Sequence, residues 1–323
     1  MAHKDDRKYR FIMTKTNPAT WFLLGLNQRE FHSLLPSNLI TTAKADIHCV
    51  TPPDSDLSGE EWLLIHQFGL DWPLPYGGLL NSASSREHSQ ALGQWVHLKA
   101  DQKQVFMLNS NDLEVSYNDS QALLASINEL LDDDPFRLCM DKEGVIYARN
   151  PHEITVPKRS PASLMNMSVF DELRSLGRNA WAKTFSEIQM LLDDHAVNQQ
   201  RRSRRQLPIN ALWLWGSSSQ PQLPRNPEFQ TICSDQIFWR RVAQWADLNF
   251  QPLNEHRVQA GQTCTLFAIQ NAESVRQLIA NDGFWRTVFN DTRPVYFILQ
   301  DGHQYRGQRL SWWRRWLKKW GRK

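Results

Sequence analysis

The second half of the chain alternates between short apolar runs and stretches of helical periodicity, and few architectures accept that pattern. Ala211 to Trp215, Phe229 to Cys233 and Cys264 to Ile269 have strand length, whereas Asp171 to Val197, Asp235 to Leu248 and Ala272 to Phe289 read as helices. Val295 to Leu299 and Tyr305 to Gln308 flank Asp301-Gly302, a dipeptide suited to a hairpin turn. The alternation predicts an α/β (mixed α+β) fold, with a mixed, partly parallel sheet covered by helices. No internal repeat accompanies it.

The first half is less regular. Trp21 to Leu26 reads as a first strand, Thr51 to Asp56 as a loop because of its paired prolines, and residues 59 to 68 as a short amphipathic helix. Pro73, Pro75, Gly77 and Gly78 break that pattern, and a polar segment without clear periodicity follows. From Trp95 onward two short strands are expected around Val96-Leu98 and Val105-Leu108, then a helix capped by Asn118-Asp119-Ser120 that runs to Leu131. Phe136 to Met140 and Val145 to Arg149 enclose the turn Asp141-Lys142-Glu143-Gly144. These elements form a smaller α+β subdomain. The expected organisation is a polar extension over 1–18, the N-terminal part of the core over 19–94, the α+β unit over 95–150, a linker over 151–168, an α/β part over 169–308 and a tail over 309–323.

Hydrophobic residues make up 41% of the chain and charged residues 22%, which excludes a largely disordered polymer. The four cysteines are scattered, with no Cys-x-x-Cys pair or histidine spacing suited to zinc, and so read as buried thiols of a reducing compartment. The apolar run at Trp21 to Leu26 is too short for a membrane span and has no cleavage site. A cytoplasmic location is expected.

The net charge of +3 is owed to the C-terminal segment, where Arg306, Arg309, Arg314, Arg315, Lys318, Lys319, Arg322 and Lys323 are accompanied by no acidic residue. As a helix, this tail would place Trp312, Trp313, Trp316, Leu317 and Trp320 on one face, with Arg314, Arg315, Lys318 and Lys319 on or beside the other. Such a segment suits an anionic membrane surface, which would make the protein peripheral to the inner membrane. It also suits nucleic acid, and the simplest alternative is a helix docked on the body of the protein with its basic residues solvated.

Polar residues that could carry chemistry gather between 187 and 210. Glu187 and His195 share a face at helical spacing, Asn198 and Arg201 follow near the helix end, and Asn210 opens the next strand. A histidine, amides and guanidinium groups together can bind a phosphate or a carboxylate. The plainer reading pairs Asp194 with Asn198 or Arg201 and lets the arginines complement the helix dipole.

The run His195-Ala196-Val197-Asn198-Gln199-Gln200-Arg201, followed by Leu207-Pro208-Ile209-Asn210-Ala211-Leu212-Trp213-Leu214-Trp215-Gly216, resembles the signature of the RpfE-type regulatory proteins of bacteria. That pattern is approximately H-P-x-N-x-x-R, a spacer, then P-x-N-S-x-W-x-W-G-G-G. Phe22-Leu23-Leu24, Trp95 to Asp101, Glu187 to Met190 and Asp301-Gly302-His303-Gln304-Tyr305 extend the likeness over most of the chain beyond residue 18. The sequence departs from the pattern at Ala196 (proline there), Arg205 (glycine there) and Ser217-Ser218 (glycines there).

The signature and the unit from Trp95 to Arg149 also look like the inserted domain of archaeal-type cofactor-independent phosphoglycerate mutases, of the alkaline phosphatase superfamily. That resemblance implies two divalent metals and a phosphoryl-accepting serine. The sequence does not supply them: Leu26-Asn27-Gln28-Arg29 stands where an Asp-Gly-x-x-Asp cluster is expected, and Ser82, Ser84 and Ser85 have no identifiable base. The resemblance therefore implies a regulatory protein without a cofactor, holding a small phosphorylated or carboxylated ligand through His195, Asn198, Arg201, Asn210 and Glu187. An active mutase or phosphatase, which would need a divalent metal, is the alternative.

Overall fold

A computed structural model describes residues 20–24, 28–34, 45–51, 57–79, 89–101, 104–108, 113–133, 136–150, 155–164, 168–177, 180–218, 227, 229–253, 265–269, 274–275, 295–299 and 301–309. The extension over 1–18, Ser82, Ser84 and Ser85, and the tail with Trp312, Trp313, Arg314, Arg315, Trp316, Lys318, Lys319 and Trp320 lie outside the described residues. So does the helix expected over 272–289, apart from Ser274 and Val275. The fold is mixed α/β and divides into two units, one of residues 1–59, 227–243 and 247–323, the other of 60–226 and 244–246.

The first unit is built on a seven-stranded sheet. Its strands are β1 (Thr20–Leu24), β2 (Ala45–Thr51), β9 (Thr231–Ser234), β10 (Asn249–Pro252), β11 (Thr265–Ile269), β12 (Val295–Leu299) and β13 (Gln304–Arg309). They lie in the order β10-β9-β11-β1-β12-β13-β2. The strands from β10 to β12 are parallel, and β13 and β2 then extend the sheet antiparallel. Unbroken apolar strands such as TLFAI belong in a parallel sheet, where both faces are covered. The short helix α1 (Gln28–Leu34) adds Phe31 to this core.

In-register pairing sets Phe22 beside Phe267 and Phe297, and Phe297 beside Tyr305. Phe22 stacks on both phenylalanines, with centroids 4.9 and 5.4 Å away, so one aromatic row crosses four strands. Strands β2 and β10 did not stand out in the sequence; the second takes up residues just beyond the expected helix, which is shortened to Ile237–Trp245.

The second unit contains an antiparallel sheet in the order β6-β7-β3-β8, and a separate ribbon of β4 and β5. These strands are β3 (Ser89–Val96), β4 (Leu98–Ala100), β5 (Val105–Met107), β6 (Arg137–Met140), β7 (Ile146–Asn150) and β8 (Ala211–Ser218). Its helices are α2 (Gly59–His66, whose first residue clusters with the other unit), α3 (Tyr76–Leu79), α4 (Tyr117–Leu130), α5 (Pro161–Leu164), α6 (Phe170–Ser175), α7 (Ala180–Asp194) and α8 (Ala196–Ser203). The cap of α4 is Ser116, whose hydroxyl accepts the Asp119 N–H; Ser120 instead accepts the Trp95 indole N–H at 2.9 Å.

Two expectations change here. The single helix expected over Asp171 to Val197 is three. Gly177, at φ +60°, ends the first after a turn, and His195, in extended backbone, separates α7 from α8. In addition, β8 does not stop at Gly216 but continues to Ser218, pairing with Gln90 after a shift in register. Gly216 has φ +62°, and a Cβ there would lie 2.6 Å from Tyr76 Cβ, so both backbone and space demand glycine. The core of this unit runs from Phe136 through Trp181 and Phe185 to the buried Trp213 as successive edge-on contacts.

Candidate functional site

The segment Leu207 to Asn210, between α8 and β8, lies outside any strand, yet side chains meet the carbonyls of Leu207, Pro208 and Ile209 in turn. Arg201 Nε donates to Leu207 O at 2.8 Å, and His97 Nδ1, 2.7 Å from Pro208 O, must carry the proton because a carbonyl only accepts. Asn198 Nδ2 donates to Ile209 O at 2.6 Å and its Oδ1 accepts the Ile209 N–H at 2.8 Å, so the amide imitates one rung of a β-ladder. Asn210 makes the same two-way clamp on Leu98, accepting from its N–H at 2.7 Å and donating to its carbonyl at 2.8 Å.

The sequence brings these groups together through α8. Asn198 and Arg201 are three residues apart and therefore share a face, and both are buried. Asn198 also donates to Leu192 O at 2.6 Å, tying the end of α7 to the start of β8. Arg201 spreads the rest of its fork over Leu113 O and Glu114 O, the lead-in to α4. Burial pulls the Arg201 pKa down, and Asp119 and Glu114 pull it back up. A guanidinium serves here because its planar donors reach separate carbonyls at once.

His195 is the N-cap of α8. Its Nδ1 accepts the Val197 N–H at 3.1 Å, and its Nε2 lies 3.2 Å from Ser126 Oγ on α4. Glu187 is not part of this group: among the described residues its partner is Lys183, 3.6 Å away on the exposed side of α7. Asp194 pairs with neither Asn198 nor Arg201; its carbonyl accepts from Gln199 Nε2 at 3.0 Å, while the Asp193 carboxylate pairs with Arg202.

Asn198, Arg201, Asn210 and His195 are thus drawn into one arrangement, and their partners are main-chain groups and one serine. Ser126 and His97 belong to it, and Asn128, on the same helix as Ser126, makes a separate clamp; none of the three stood out in the sequence as a site residue. Asn128 clamps Leu138 with bonds of 2.9 Å in both directions and so closes the free edge of β6. Its signal was an asparagine in a helix interior, where asparagine is unfavourable unless its amide is used. What the arrangement does is hold three chain segments, at Leu98, Leu113 and Leu207 to Asn210, against α8. Among the described residues, no three His, Cys, Asp or Glu side chains gather so as to hold a metal. No described helix is long and apolar enough to cross a membrane.

No protein-family model matches the chain, and no curated protein matches it. Among solved structures it is similar to the cofactor-independent phosphoglycerate mutase of Thermoplasma acidophilum DSM 1728, at 14% identity over 91% of this chain and 90% of that one, with a TM-score of 0.36. It is also similar to the PH0037 protein of Pyrococcus horikoshii, at 10% identity over 91% and 88% of the two chains, with a TM-score of 0.44. Likeness at this level transfers no residue role.

Proposed function

We propose that this chain is a regulatory protein of the RpfE type, acting by binding a small phosphorylated or carboxylated ligand and not by turning it over. The observation that carries this reading is where the signature's polar groups go. Phosphoryl transfer needs cations and acid–base groups aimed at the transferring oxygens, whereas Asn198, Arg201 and Asn210 spend their donors on carbonyls of their own chain. The motif then acts as framework, and contact with an anionic ligand falls to the exposed Arg204 and Arg205 just after α8.

The departures from the family pattern support the same assignment. Position 196 is the first residue of α8, where proline is tolerated but not required. Position 205 has φ +58°, the left-handed conformation that a glycine would suit. Gly216 is kept where the backbone requires it, and Ser217 and Ser218 replace only the pattern's second and third glycines.

The deciding experiment measures metal content and turnover of 3-phosphoglycerate in manganese, together with a thermal shift on adding the same compound. Binding without turnover, weakened in Arg204→Ala/Arg205→Ala, is expected. Metal-dependent turnover would overturn the reading in favour of an active mutase or phosphatase. A second reading, favoured by the separation of tryptophans from cations in the sequence of the tail, adds a reversible contact with anionic membranes. Flotation with phosphatidylglycerol vesicles is expected to require residues 309–323, and equal flotation without them would exclude the tail as anchor.

A further inference from the structure

We propose that His195 is a pH-sensitive helix cap, whose protonation releases the first turn of α8 and loosens the clamp that α8 carries. The inference is independent of the ligand reading and rests on the two partners of one ring. Val197 offers His195 Nδ1 only a donor, so that nitrogen must present its lone pair. The neutral ring then carries its proton on Nε2 and donates to Ser126 Oγ, 3.2 Å away.

A second proton can go only to Nδ1. It would turn the acceptor toward a donor, cancel the cap, and place a cation at the N-terminus of α8, where the helix dipole is positive. Ser126 is indifferent to this change, because its hydroxyl accepts from Nε2–H in either state. The usual capping residues, Ser, Thr, Asp and Asn, remain acceptors near neutral pH; histidine does not.

Helices α4, α7 and α8 pack against one another at His195, and each carries ionisable groups. Asp193 and Asp194 end α7, Asp119 and Glu129 lie on α4, and Arg201 and Arg202 lie on α8. Asp193 is taken up by Arg202, and Asp119 is felt by Arg201. The Val197 N–H itself is held by Nδ1 of His195. Three and six residues beyond the cap stand Asn198 and Arg201, so fraying of the first turn reaches the bonds to Leu192, Ile209 and Leu207. The unfolded chain accepts the proton without this loss, so protonation of the ring costs stability only in the folded state.

The test compares wild type with His195→Asn, which keeps a capping acceptor but cannot titrate, on the full chain at pH 8 and pH 5. At pH 8, long-range proton–nitrogen NMR on wild type should find the Nε2–H tautomer. Hydrogen-exchange protection at Val197 to Gln199, corrected for intrinsic rate, should fall about fivefold at pH 5 in wild type, in line with loss of a cap. It should stay level in His195→Asn. An Nδ1–H tautomer, or the same pH response in both proteins, would overturn the proposal. If His195→Asn does not fold, the tautomer and the wild-type protection ratio still decide it.

Discussion

In the seven-stranded sheet, Phe267, Phe22, Phe297 and Tyr305 cross four strands in one register, and ladder pairing joins each strand to the next. In the antiparallel unit, Asn198 clamps Ile209, which lies outside any strand, while Asn128 and Asn210 clamp Leu138 and Leu98 along the outer edges of β6 and β4. The first arrangement relies on apolar area and stacking, in which lost contact is partly recovered by relaxation of neighbours. The second relies on buried amides, where removing one side chain orphans several main-chain groups. The difference teaches that a polar signature can be as much a part of the framework as a row of phenylalanines.

Substitutions that strike one arrangement and spare the other can break this comparison. Phe22→Ala should cost the most, about 4 kcal/mol, because a fully buried ring stacked on two others is removed. Hydrogen exchange should rise across β1, β11 and β12 while β8 keeps its protection. Loss of protection in β8 to the same degree would mean that the two units do not hold themselves independently.

Asn198→Ala is the opposite probe. It orphans both main-chain groups of Ile209 in a fully buried position and leaves Leu192 O with only the His195 N–H, for about 3 kcal/mol. Exchange should rise at Ile209 and β8 and remain unchanged in β1. A loss below about 1 kcal/mol would show that water replaces the amide and that the clamp is not a main support. Asn210→Ala should cost less, about 2 kcal/mol, because its clamp on Leu98 is only partly buried. Its effect should appear in β4 before β8.

The same contrast explains what could be read from the sequence. Continuous apolar runs announced β1, β11 and β12, since burial on both faces leaves a composition that no loop shares. Strand β3 was hidden because SQALGQWV looks polar and contains Gly93, whose missing side chain makes room for Ile146 and Leu214. The break at His195 was hidden because a one-residue cap barely disturbs helical periodicity, and apolar residues continue on both sides. At the candidate site, the residues themselves stood out, being unusual types at helical spacing. Their partners did not, because carbonyls of Leu113, Leu192 and Ile209 leave no mark in a sequence. Residue type suggested anion binding, and only the geometry reveals that the acceptors are internal.

Arg205→Gly should produce the smallest effect and the opposite sign. Arg205 follows the end of α8 at φ +58°, where an L side chain is held at a cost of roughly 1–2 kcal/mol that glycine escapes. Glycine also has more freedom to lose on folding, which takes back about 0.5–1 kcal/mol. A net gain of about 0.5 kcal/mol is therefore expected, read as slower exchange at Arg204 to Gln206 with β1 unchanged. The side chain is exposed, so no packing is lost to obscure the result. A destabilisation would mean that the Arg205 side chain contributes a favourable interaction that outweighs its backbone strain, and the anion-binding role given to it would gain a structural companion.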